Sequence, residues 1–161
     1  MSGSAFLARL REERRLERGD PSPEISASYL KKSADCLKAS KILFREGLYE
    51  NAIGEAYFSM YDAALSLLFY CGIKCENHSA AMILLKELFK LERLSASLSF
   101  AKRERIDKQY YVADKSSALA LKNSSFSLIR RSEEFILEAR AYMERLTSSE
   151  IGSIQEGLGR L

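Results

Sequence analysis

From Ile25 onward, apolar residues recur at steps of three and four, the spacing that gathers side chains on one face of an α-helix. Ser22 is suited to cap the first long helix, Pro23 to open it and Glu24 to sit near its positive dipole end. That helix is predicted to run to about Arg45, where Gly47 ends it, with Ile25, Tyr29, Cys36, Leu37, Leu43 and Phe44 as its inner stripe. A second long helix is predicted over about Tyr49–Cys71. Its stripe of Ile53, Ala56, Tyr57, Met60, Tyr61, Ala64, Leu67, Leu68 and Cys71 is joined by apolar residues off that face, as in a central helix. The turn between the two is short, which makes them antiparallel neighbours.

Beyond a loop over Gly72–Asn77, the pattern predicts helices at about 78–91, 95–112 and 124–146, the last with Phe126, Ile129, Ile136, Leu137 and Met143 as its apolar residues, and a long loop over 113–121. A short helix over residues 5–18 is predicted to precede Gly19–Pro23. The glycines at 152, 157 and 159 predict a fraying end after Thr147. The expected architecture is all-α: an antiparallel bundle of four to five helices at 22–147, a basic N-terminal extension at 1–21 and a flexible tail at 148–161.

Composition supports a packed domain. The chain has 161 residues, 47% hydrophobic, and its two prolines both lie near the start. Its net charge of +3 is too mild to demand a nucleic-acid partner. Basic clusters at Arg9–Arg18 and Lys102–Lys108 are interleaved with acids, as solvated helix faces are. The three cysteines, Cys36, Cys71 and Cys75, and the lack of a long apolar run at the start predict a reducing, cytoplasmic setting. The most apolar stretch, 63–72, is too short to span a bilayer, so no membrane association is expected.

Counting narrows the chemistry. With His78 as the one histidine, most metal and triad enzymes are excluded, and no phosphate-binding glycine loop is present. Cys71, Cys75 and His78 lack a fourth soft ligand nearby, so neither a metal nor a cofactor is expected. Asp62 sits among apolar residues and needs a partner, for which Arg105 is the first choice; otherwise it lines a pocket.

Three segments in order resemble the HEPN (higher eukaryotes and prokaryotes nucleotide-binding) family. They are Ala34-Asp-Cys-Leu-Lys-Ala-Ser-Lys-Ile-Leu with Tyr49-Glu-Asn-Ala-Ile, then Ala56-Tyr-Phe-Ser-Met-Tyr-Asp-Ala-Ala-Leu followed by His78, then Arg105-Ile-Asp-Lys-Gln-Tyr110. The resemblance covers roughly residues 25–146. It implies a helical bundle, often a homodimer, that pairs with a minimal nucleotidyltransferase as a toxin–antitoxin couple. It also implies metal-independent ribonuclease activity in members with an Arg, four to six residues and a His. Here Arg105 matches the arginine, but Tyr110 stands at the histidine position. The resemblance further makes Tyr110 or Tyr111 a candidate acceptor of AMP from the nucleotidyltransferase.

Arginine suits a phosphate, being always charged and presenting a planar fork. Tyrosine, with a reference pKa of about 10, is a poor proton acceptor at neutral pH, though it can donate a hydrogen bond or stack on a base. Along a helix, Arg105 and Tyr110 point roughly 140° apart. They meet in one groove only if a second protomer contributes. Arg105 and Tyr110 are thus the candidate catalytic pair, with Arg103, Asp62, Tyr61, His78 and Tyr111 as candidate binding residues. His78 opens a helix after a loop and can serve as missing base only if the fold brings it to Arg105. Three functions stand open: RNA or nucleotide binding as half of a HEPN–nucleotidyltransferase pair, a ribonuclease toxin using Arg105, and a non-catalytic helical scaffold.

Overall fold

The computed structural model of the chain describes residues 3–75, 77–110 and 118–161, with Gln109 and Tyr110 described through the backbone alone. The elements are α1 (Gly3–Glu12), β1 (Leu16–Arg18), α2 (Pro23–Arg45), α3 (Tyr49–Tyr70), β2 (Ile73–Cys75), α4 (His78–Glu87), α5 (Glu92–Tyr110), α6 (Ala118–Arg145) and α7 (Ser148–Leu158). The fold is all-α apart from the small antiparallel β1–β2 pair. Helix α3 forms the axis. From Ala52 to Leu68 nearly every residue is buried, because α2, α4, α5 and α6 all pack around it.

The α2–α3 hairpin follows the sequence closely. The Ser22 hydroxyl accepts from the Ile25 amide, and Gly47 takes a left-handed φ of 76° in the turn between the helices. The buried face of α2, however, is not the expected apolar stripe. Ile25 is 44% exposed, while Ser26, Ser33 and Ser40, spaced by seven, are buried. Opposite them on α3 lie Ser66, Ser59 and Ala52, also spaced by seven. The Ser33 hydroxyl donates to the Ser59 carbonyl at 2.7 Å, that of Ser40 to the Ala52 carbonyl at 2.7 Å, and that of Ser66 to the Ser26 carbonyl at 2.8 Å. Small side chains let the two backbones approach closely, and the hydroxyls of Ser33, Ser40 and Ser66 each find a carbonyl on the facing helix. Helix α6 repeats the device: Ser132 donates to the Ala56 carbonyl at 2.7 Å.

Four local expectations are corrected. The helix expected over 5–18 ends at Glu12. Arg14 turns the chain with a φ of 55°, and Leu16 is buried by pairing with Cys75 in the β1–β2 ladder. Part of the loop expected over 113–121 is helical, since α6 begins at Ala118; residues 113–117 lie outside the described residues. On α6, Phe126 and Leu137 are exposed, and the buried face is carried by Leu128, Ile129, Phe135, Ile136 and Met143. The fourth correction concerns the end after Thr147, which is an ordered helix, α7, rather than a fraying tail.

Thr147 and Glu150 form a reciprocal capping box at the start of α7. Ile154 and Leu158 are buried, and the Gln155 amide donates to the Cys71 carbonyl at 2.9 Å and the Gly19 carbonyl at 3.1 Å. Gly157 does not break the helix; a Cβ there would lie 2.9 Å from Leu88, so its absence permits close packing. The N-terminal segment is likewise part of the core, with Leu7 and Leu10 buried. No helix among the described residues is long and apolar enough to cross a membrane.

Candidate functional site

Arg105 lies on the side of α5 that faces α3. Its guanidinium carbon sits 4.8 Å from the ring centre of Phe58 and 5.3 Å from that of Tyr57. These two rings form an aromatic shelf beside the guanidinium, whose charge stays at a half-buried position. Tyr57 and Phe58 are held rigidly because α3 is the packed axis of the bundle.

The shelf continues to His78. This residue opens α4 behind the Asn77 cap, whose side chain accepts from the Ala80 amide at 3.0 Å. The imidazole stacks on the Tyr61 ring at 3.7 Å between centres and 8° between planes. Its Nδ1 shares a short hydrogen bond with the Tyr57 hydroxyl. Burial lowers the pKa of His78, and the charges of Lys102 and Arg105 lower it further. Burial also pushes the Tyr57 hydroxyl up to about 12, with Arg105 pulling against it. Both groups are therefore neutral at pH 7. If Nδ1–H donates to the tyrosine oxygen, Nε2 keeps a lone pair that can take a proton; if the tyrosine O–H donates to Nδ1, Nε2–H is a donor.

The structure thus gathers Arg105, His78 and Tyr61 at one place, with Tyr57 and Phe58 as the elements that join them. Lys102 adds a second cation one turn before Arg105 and donates to the Ser79 hydroxyl at 2.9 Å. Arg103, two residues from Arg105, is exposed and lines a separate cleft between α4 and α5. The Tyr110 backbone ends α5, but its side chain lies outside the described residues, as does all of Tyr111.

Asp62 corrects an expectation. Its partner is Lys32 of α2, at 3.2 Å, rather than Arg105. The Cys36 thiol also approaches the Asp62 carboxylate at 3.8 Å. Asp62 is 1% exposed, and burial raises its pKa, with the Lys32 hydrogen bond and charge pulling against the rise. Sequence reasoning had no means of choosing Lys32, because the choice depends on the α2–α3 register that the serines set. The Cys71 thiol is buried and pushed up to about 12, as suits an inert packed thiol. Among the described residues, no three His, Cys, Asp or Glu side chains gather as a metal site would require.

The all-α arrangement of α2 to α6 is consistent with one family. A family model described as HEPN domain matches residues 26–149. The chain belongs to the HEPN domain family. No curated protein matches it. Helices α3 to α6 of this HEPN domain, and α2 from Ser26 onward, lie within the match, whereas α1 and β1 lie outside it and only the first two residues of α7 fall inside.

Proposed function

We propose that this HEPN protein binds RNA, or the phosphate of a nucleotide, through Arg105. The observation that carries the reading is the guanidinium set over Phe58 and Tyr57, with Lys102 alongside. An arginine already packed against aromatic rings loses little further freedom when it meets a phosphate, and its fork suits two phosphate oxygens. In this reading the protein works in the cytoplasm as a homodimer, as HEPN domains often do, and as one half of a pair with a minimal nucleotidyltransferase.

The test is fluorescence anisotropy with a labelled single-stranded RNA hexanucleotide. Arg105→Ala is expected to weaken binding about ten- to a hundredfold, the worth of a charge-assisted contact of roughly 1.5–3 kcal/mol. Arg105→Lys keeps charge but loses the planar stack, and falls between. Unchanged binding by Arg105→Ala refutes the reading.

A second reading, metal-independent cleavage at the same site, is favoured by His78. The active-family histidine is absent at Tyr110, yet a neutral imidazole feels the Arg105 charge from α4. In that reaction His78 takes the 2′-hydroxyl proton as that oxygen attacks phosphorus, Arg105 stabilises the charge growing on the non-bridging phosphoryl oxygens, and the bond from phosphorus to the 5′-oxygen breaks, the leaving oxygen taking a proton from water and a 2′,3′-cyclic phosphate remaining. RNA cleavage measured with EDTA present should vanish in both Arg105→Ala and His78→Gln. Activity that survives both substitutions does not arise at this site.

A further inference from the structure

A cleft of about 700 Å³ opens between α4 and α5, within the size range of small-molecule sites. Its lining includes Ser79, which follows His78 in α4, and Lys102, one turn before Arg105 in α5, and these two are bonded to one another, whereas Arg105 itself lies outside the lining. We propose that this cleft receives the nucleoside next to the phosphate held by Arg105, so that two consecutive units of an RNA strand are bound. The proposal rests on the Arg105 reading and extends it to a second subsite.

The lining has the chemistry a nucleotide needs. Lys86, Lys102 and Arg103 bring three cations, against the single side-chain carboxylate of Glu87, which Lys86 already pairs at 3.4 Å. Ile83 and Ile106 offer half-exposed apolar surface for the face of a base, while Leu7 and Met82 close the floor. The Ser95 hydroxyl donates to the Met82 carbonyl at 2.8 Å and that of Ser99 to the Met82 sulfur at 3.3 Å. Each hydroxyl proton is thus engaged within the protein, which leaves oxygen lone pairs to accept from a base amino group or a ribose hydroxyl. One end of the cleft is closed by Ser4, whose hydroxyl donates to the Leu161 carbonyl at 2.6 Å. Gly3, Ser4, Leu7 and Leu161 lie outside the family match, while the rest of the lining falls within it.

The experiment measures binding of a labelled uridine hexanucleotide by the full chain. Ser99→Phe fills the cleft, and Lys86→Glu reverses a charge at its exposed rim without touching the core. Each is expected to weaken binding about five- to tenfold, and Lys86→Glu should also lower the salt dependence. Lys38→Glu, on the α2–α6 groove, should leave binding unchanged. If Arg105→Ala weakens binding while Ser99→Phe and Lys86→Glu do not, the cleft is not a subsite and the Arg105 reading survives. If Lys38→Glu costs as much as Lys86→Glu, binding follows net charge alone and the proposal is overturned. If the cleft variants weaken binding and Arg105→Ala does not, the Arg105 reading fails and with it the adjacency proposed here.

Discussion

His78 shows how one residue acquires a property its sequence position does not announce. As the first residue of α4 it reads as a helix opener. In the fold it is stacked on Tyr61, bonded to Tyr57 and set in the field of Lys102 and Arg105. Its lowered pKa has a consequence for stability. The unfolded chain takes up a proton near pH 6.5, whereas folded His78 resists until a lower pH. Between those values the unfolded state binds more protons, so stability is full above about pH 6.5 and falls as pH drops towards the folded value. Asp62, with a raised pKa, contributes with the opposite sign and makes a comparison with a variant necessary. Urea midpoints at pH 8 and pH 5.5 should differ less in His78→Phe, which keeps an aromatic ring on Tyr61 but cannot titrate. An identical difference in both proteins would show that His78 is not the desolvated group it is taken to be.

At the scale of elements, the α2–α3 hairpin rests on a contact that hydropathy conceals. Ser33 is buried and donates to the Ser59 carbonyl, while the Ser59 hydroxyl itself has no hydrogen-bond partner among the described residues. Ser33→Ala removes one hydrogen bond, a cost of about 1 kcal/mol. Ser33→Leu must push the helices apart and is expected to cost roughly 1–3 kcal/mol more. In thermal melts followed by circular dichroism, the leucine variant should therefore fall by several degrees more than the alanine variant. Equal melting temperatures would mean that α2 and α3 do not need this close approach. The same serines explain which parts of the fold were legible. Helix α2 could be bounded because Ser22, Pro23 and Gly47 act locally. Its buried face could not, because serine counts as polar although it packs well once its hydroxyl meets a facing carbonyl. The strand β1 left no trace, since three residues of Leu-Glu-Arg show no alternation. At the candidate site, the motif singles out Arg105 as a candidate, but it says nothing of the rings beside it. Meeting Phe58 and His78 requires the spatial arrangement of α3, α4 and α5, which no spacing along the chain records.

For the whole molecule, the segments outside the family match converge on one end of the bundle. Helix α7 packs against Leu88 through Gly157, Arg11 of α1 donates to the Leu158 carbonyl at 3.0 Å, and the Arg18 guanidinium meets Gln155 at 3.3 Å. Gly72 lies at the centre, with a φ of 72° and no room for a Cβ, which would stand 2.5 Å from the Gly19 carbonyl oxygen and 2.6 Å from the Gln155 amide nitrogen. Helix α7 thus locks α1, β1 and β2 together, and through α1 it supports the wall of the α4–α5 cleft. Deleting residues 148–161 removes the burial of Ile154 and Leu158, worth about 1.5–3 kcal/mol each as an upper estimate. It also strands the carbonyls of Cys71 and Gly19 that Gln155 satisfies. The melting temperature should fall by roughly 10 °C or more. Hydrogen exchange should quicken first in α1 and the β1–β2 pair, while α2 and α3, joined by their own serine contacts, keep their protection. If exchange instead quickens evenly across the chain, α7 stabilises the bundle as one cooperative unit, and the end cap is not a separable addition to the HEPN core.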